Sequence, residues 1–177
     1  MKVFVAVDLS KEIKDYLFDL QKEVKEAKIT WVSKKNLHLT LKFVGDIKEE
    51  KLPQIKEALS NIKFNKVKVN LGKLGFFPNQ KSPKVIWVSL EPEDNIIQLQ
   101  QKVDEALLTI FPSEQLFQSH LTLGRVKLIR RDKDFQSSLD NIQIKPIELE
   151  ISSIKLFQSE LTRAGPRYTE LHDVNLS

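Results

Sequence analysis

The chain has 177 residues, with 28 Lys and Arg against 24 Asp and Glu, for a formal net charge of +4. At 41% hydrophobic and 29% charged residues it is neither disordered nor fibrous, and its length is enough to bury a core as one domain or as two lobes sharing one. The absence of cysteine excludes disulfides, thiolate metal sites and a cysteine nucleophile, and no window reaches the roughly 18 consecutive apolar residues of a membrane span.

The sequence pI near 9.1 permits an anionic partner without demanding one. The opening residues turn charged too soon for a secretory leader, so a cytoplasmic protein is expected. Residues 2–8 read as a strand, with Val3, Val5 and Val7 alternating against Phe4, Ala6 and Asp8. Ser10 is a good N-cap for a helix over roughly 11–27, striped by Ile13, Leu17, Leu20, Val24 and Ala27. Residues 36–44 alternate as a half-buried strand. A helix near 48–62 follows, with Asp46 and Glu49 resembling a capping pair and Pro53 near its start. A β-like run at 66–76 leads into the turn-rich loop 72–83, which carries Phe76 and Phe77. A further strand covers 84–90, and Glu91 to Asp94 forms the expected seam of the chain. Beyond it lie a helix over 93–110, a short strand word at 119–123, a polar helix near 132–140 and β-like runs at 146–157 and 167–174.

The three histidines decide how this order is read. His38 and His120 sit in nearly identical words, Leu37-His38-Leu39-Thr40-Leu41 and Ser119-His120-Leu121-Thr122-Leu123. Each long helix begins 27 residues before its histidine, and the elements that follow fall at similar offsets. The pattern is a duplicated helix–strand–helix–strand–strand unit, with repeats over approximately 10–90 and 92–177 inside one domain and residues 2–8 as an extra leading strand. A self-contained duplication has no need of a second copy, so a monomer is expected.

Strand periodicity places Leu37, Leu39, Leu41 and Phe43 on one face, and His38, Thr40 and Lys42 on the other. The second copy repeats this, with Leu121 and Leu123 inward and His120 and Thr122 outward. Were the halves related by a pseudo-twofold axis, two imidazoles and two hydroxyls would converge on one point. Opening a phosphodiester needs a base for water and an acid for the leaving oxygen, and histidine serves as either near neutral pH. Threonine hydroxyls can donate to non-bridging phosphate oxygens, and Lys42 would add positive charge. The design calls for no metal, and the sequence holds neither an HExxH motif nor a dense carboxylate cluster. His172 reads as structural.

Paired H-x-T-hydrophobic words at this spacing are similar to the signature of the two-histidine (2H) phosphoesterase superfamily. The chain most resembles its RNA 2′,3′-cyclic phosphodiesterase branch, also called the 2′-5′ RNA ligase family. The opening Lys2 to Leu9, the extended motif His38 to Gly45, the strand Val85 to Val88 and the segment Ser159 to Tyr168 all resemble family segments. The resemblance implies a bilobal α+β fold, with two antiparallel sheets flanking a central cleft and helices outside. It implies a cofactor-free enzyme that opens a 2′,3′-cyclic phosphate at an RNA 3′ end to a 2′-phosphomonoester, with tRNA fragments, another RNA and a small cyclic nucleotide or ADP-ribose-type phosphate as the alternative natural substrates. His38 would match the proton donor, His120 the acceptor, and Thr40 and Thr122 the phosphate ligands; the strand argument alone leaves acid and base unassigned.

Arg125 matches a family position that often carries arginine, yet simple alternation buries it unless a bulge at Gly124 resets the parity; a solvated strand-end arginine is the alternative. Tyr168 and Phe76 are candidate base-stacking platforms, with generic aromatics as the alternative. Lys127, Arg130, Arg131 and Lys133 form a candidate RNA-backbone track, with a solvated helix start as the alternative. Joining by the reverse reaction, and non-catalytic binding of RNA ends, are the rival functions.

Overall fold

The computed structural model describes residues 1–113 and 116–177. Strand β1 (Lys2–Asp8) is followed by α1 (Lys11–Gln21), β2 (Ala27–Trp31), β3 (His38–Asp46), α2 (Leu52–Ser60), β4 (Val67–Phe77) and β5 (Val85–Glu91). Then come α3 (Asp94–Leu107), β6 (Leu121–Ile129), α4 (Asp132–Asp140), β7 (Glu148–Ile151), β8 (Ser153–Thr162) and β9 (Gly165–Asn175). Short 3-10 turns at Lys34–Asn36 and Glu49–Lys51 lead into β3 and α2. The sheets are antiparallel, in the orders β3-β1-β8-β9 and β2-β6-β5-β4-β7. This is the expected bilobal α+β architecture, and no helix among the described residues is long and apolar enough to cross a membrane.

Each sheet draws strands from both halves of the chain. Strands β2 and β4 cross to the second sheet, beside β6 and β5, while β8 and β9 cross back to the first, beside β1. Thus β1 has a counterpart, because it pairs with the His38 strand as β5 pairs with the His120 strand. The leading strand is not extra to the duplication. It is also buried on both faces: Phe4 and Ala6 are 4% and 0% exposed, as covered as Val3, Val5 and Val7.

Helix α1 starts where Ser10 caps it, its hydroxyl accepting from the Ile13 amide at 3.3 Å. It ends at Gln21, earlier than expected, and Glu26 then turns the chain with φ 59° into β2, which begins at Ala27, the last residue read as helical. Asp46 does not cap α2; its carboxylate binds the N-terminal ammonium at 3.0 Å, and Pro53 sits in the first helical turn. The run read as one strand over 146–157 is two, β7 and β8, in different sheets. The helix expected near 132–140 is α4.

One core runs through both lobes, with Leu17, Leu37, Leu39, Ile55, Ile86, Leu99, Val103 and Phe135 each at most 1% exposed. Such a side chain contributes about 1.5–3 kcal/mol through burial. Buried Gln21 ties α1 to the second sheet, donating to the carbonyls of Val32 at 2.9 Å and Leu123 at 3.0 Å. These bonds tie α1 and the segment leading to β3 to the strand that follows His120.

Candidate active site

Strands β3 and β6 bring His38, Thr40, His120 and Thr122 to one cleft of about 420 Å³, which Arg125 and Tyr168 also line. Such a volume accommodates a small ligand. Among the described residues no carboxylate lines the cleft, and Arg125 is the permanently charged group there, with positive charge.

The two imidazoles are held alike. His38 Nδ1 lies 2.6 Å from the Asn36 carbonyl oxygen, and His120 Nδ1 lies 2.7 Å from that of Gln118. A carbonyl only accepts, so Nδ1 carries the proton in each ring and Nε2 is the nitrogen that exchanges one. His38 Nε2 is 2.6 Å from Thr40 Oγ1. The Asn36 side chain, itself buried, donates to the Pro166 carbonyl at 2.8 Å and so locks the support of His38 to the β8–β9 hairpin.

Aromatic rings fix both imidazoles from the side. Phe4 and Tyr168 pack on His38 at centroid distances of 5.1 and 5.4 Å, and Phe77 and Trp87 on His120 at 5.0 and 5.9 Å. Trp87 lies flat because Gly75 is opposite it; a Cβ there would sit 2.3 Å from the indole ring. Gly124 does the same for Trp31, where a Cβ would come within 2.6 Å of the ring.

Burial pushes both histidines below the ordinary value of 6.5, and their neighbours differ. At His38 the Asn36 hydrogen bond and the Asp8 charge push back up, while Lys14 and His120 push down. At His120 the Gln118 hydrogen bond pushes up and the Arg125 charge pushes down. Burial also raises the Tyr168 phenol.

Two bulges at matching places decide what else reaches the cleft. Between Val5 and Ala6 the β1–β3 register skips one residue of β3, Leu41; between Ile86 and Trp87 the β5–β6 register skips Leu123 of β6. Each lies three residues beyond its histidine and reverses the strand's alternation. Arg125 is thereby exposed on the cleft, with the extra residue at Leu123 rather than Gly124. Phe43, at the equivalent position of β3, also faces the cleft, 71% exposed.

The same reversal removes Lys42 from the place expected of it. Lys42 is 3% exposed, and its ammonium binds Asp104 Oδ1 at 2.6 Å and the Pro112 carbonyl at 2.8 Å. It is an interior strut between β3 and α3. Phe76 packs against the core instead of the cleft, and the next residue, Phe77, meets His120 because successive strand residues face opposite ways. His172 bonds to Ser60 at the end of α2, outside the cleft. Lys127 in the far half of β6 and Arg130, Arg131 and Lys133 beyond its end are exposed and do not line the cleft, and Arg131 lies 4.0 Å from Asp134. Alternation alone missed Phe43, Asn36 and Trp31; the paired positions Phe43 and Arg125, each five residues past a histidine, were the legible signal for the first.

Comparison with known proteins agrees with this geometry. A model of LigT-like phosphoesterases matches the chain twice in tandem, over residues 7–87 and 88–168. The chain belongs to the LigT-like phosphoesterase family. It is 34% identical over 170 residues to an RNA 2′,3′-cyclic phosphodiesterase of Methanocaldococcus jannaschii, covering 95% of this chain and 96% of that one. It is 35% identical over 174 residues to the protein of the same name from Archaeoglobus fulgidus, covering 97% and 98%. Among solved structures, TT0787 of Thermus thermophilus superposes with a TM-score of 0.80 at 25% identity, over 99% of this chain and 97% of that one. E. coli LigT complexed with 3′-AMP gives 0.77 at 25% identity, over 99% and 98%. Family membership bears out the two-histidine phosphoesterase reading and its status as an enzyme.

Proposed function

We propose that the cleft opens a 2′,3′-cyclic phosphate at an RNA 3′ end to a 2′-phosphomonoester and a 3′-hydroxyl, without a metal. The observation that carries this is the convergence of His38, Thr40, His120 and Thr122, with Arg125, in one cleft. Water attacks phosphorus as His120 Nε2 takes its proton, the P–O3′ bond breaks, and His38 Nε2 delivers a proton to O3′. The neighbours favour this order of roles, since Asp8 favours a protonated His38 and Arg125 disfavours a protonated His120. Burial disfavours the charged form of both imidazoles, and an anionic phosphodiester seated between them favours protonation, with the Asp8 charge adding to this at His38.

Thr40 is coupled to that proton. While His38 is neutral, the Thr40 hydroxyl donates to Nε2; once Nε2 is protonated it donates to Oγ1, and the threonine proton turns to a phosphate oxygen. Thr122 and Arg125 hold the other non-bridging charge. Phe43, exposed on the cleft, offers a face for the terminal base. The relatives' names support RNA as the substrate.

The test is to offer an RNA ending in a 2′,3′-cyclic phosphate in EDTA, with and without a 5′-hydroxyl acceptor, and to resolve the products. A 2′-phosphomonoester in both arms is expected. A 3′-phosphomonoester, or no turnover without added metal, contradicts the reading, and a 2′-5′ linked product that displaces hydrolysis would make joining the reaction.

A further inference from the structure

Beside His38 the cleft continues into two depressions that the reaction above leaves unused. The smaller, about 140 Å³, is bounded by Asp8, Lys35, Asn36, Arg167 and Tyr168 with His38 at its edge. The larger, about 870 Å³ and open, lies between α1 and the 3-10 turn before β3 and carries Lys11, Lys14, Lys34 and Lys35 with Asp15 and Asp19. Ser33 borders both the cleft and the larger depression, Lys35 borders both depressions, and Asn36 borders the cleft and the smaller one. The three form one continuous path.

The larger depression is basic. Four lysines against two aspartates leave +2 in the larger depression, and Asp8 and Arg167 cancel in the smaller one. Lys11 and Lys34 reach Asp15 from two sides at 3.1 and 3.0 Å, and these two ammoniums hold its carboxyl below the usual range. Lys14 fixes the turn, binding Asp8 at 2.9 Å and the Lys35 carbonyl at 3.0 Å. The Lys35 ammonium has no ion pair among the described residues and stands exposed at the junction of the two depressions. Lys127, Arg130, Arg131 and Lys133, by contrast, border none of these three spaces.

We infer that this path binds the RNA strand on the 5′ side of the cyclic phosphate, with its phosphodiesters against Lys35, Lys34 and Lys11. The inference rests on the cyclic-phosphate reading of the cleft and extends it from a terminal nucleotide to an oligonucleotide. It makes the His38 side the exit for the strand and gives RNA an advantage over a mononucleotide that the cleft alone does not supply. Single-strand contacts depend on salt with a slope of about −0.7 per phosphate, so each contact is worth about 5-fold near 0.1 M salt.

The test compares the wild type, a Lys11→Gln/Lys34→Gln/Lys35→Gln variant and a Lys127→Gln/Arg130→Gln/Arg131→Gln/Lys133→Gln variant. Two substrates are used, an RNA decamer ending in a 2′,3′-cyclic phosphate and a mononucleoside 2′,3′-cyclic phosphate. The first variant is expected to raise KM for the decamer at least about 5-fold and flatten its salt dependence by about 0.7 or more, while kcat/KM for the mononucleotide stays within twofold. Equal effects on both substrates, no effect on the decamer, or the loss appearing in the second variant instead would overturn the inference. Equilibrium binding of a labelled decamer ending in a 2′-phosphate separates the two readings. Lysine-dependent, salt-sensitive binding without any turnover would refute the reaction and support the path; lysine-independent binding would refute the path.

Discussion

Removing the Asp104 carboxylate should destabilise the protein more than any exposed ion pair could. Asp104→Asn leaves the Lys42 ammonium 3% exposed and strips it of its 2.6 Å carboxylate partner, with the Pro112 carbonyl at 2.8 Å still accepting from it. Breaking one side of a buried pair costs about 3–5 kcal/mol. For a chain of this size each kcal/mol moves Tm by about 2–4 °C, so a fall of about 6–20 °C is expected. The double variant Asp104→Asn/Lys42→Met removes both charges while keeping an acceptor for the buried Gln100 amide, which donates to Asp104 Oδ2 at 2.8 Å, and should recover part of the loss. Urea titration and calorimetry of the wild type, the single variant and the double variant measure these differences. A single-variant loss under about 1 kcal/mol, the ordinary value for an exposed pair, would refute the placement of Lys42 inside and with it the parity reversal that turns Phe43 outward.

Further outcomes follow from the site. Both histidines lie below 6.5 in the free protein, so the bell of kcat/KM should centre below that pH, and that of kcat should lie higher because the bound anion favours protonation. Asp8→Asn should move the His38 limb to lower pH and leave the other in place. The same shift acts on folding. Below 6.5 the unfolded chain takes up protons before the native one does, so this contribution to stability is full above 6.5 and is lost as pH falls toward the native values; a denaturation series from pH 8 to 5 on wild type and His38→Gln reads it. Phe43→Ala should lower kcat/KM by about 5- to 150-fold, equivalent to about 1–3 kcal/mol of base stacking, mainly through KM; an unchanged KM would remove the base from that face. Gly75→Ala places a methyl against the Trp87 ring and should cost about 1–3 kcal/mol through overpacking, with a change in tryptophan fluorescence and reduced activity through His120.

Much of the site was legible because it depends on local period. His38 and Thr40 share a face by strand alternation, the second copy repeats the word, and the helices preceding each histidine show their apolar stripes plainly. What alternation could not carry was the bulge at Leu41 or Leu123, since an extra residue in one strand is defined only against its partner in another. That single step buried Lys42 and exposed Phe43, opposite to the expected order. At Arg125 the same step worked in favour of the family position over the simple periodic rule. Helix α1 was read too long because Val24 and Ala27 continue its stripe, while the left-handed turn at Glu26 is set by β2 pairing with β6, about a hundred residues away. The exchange of strands between sheets is likewise long-range, and it is what made β1 look like an addition to the repeat and hid its equivalence to β5.

The central claim is that His38 and His120 are the two proton carriers of one cleft. Single-turnover hydrolysis of an RNA ending in a 2′,3′-cyclic phosphate, followed in EDTA for the wild type, His38→Ala and His120→Ala, tests it most directly. Folded variants that each lose about 10²- to 10⁴-fold, with the double variant little worse than either single one, are expected for groups acting as a unit. Full activity retained by either folded single variant would contradict the account.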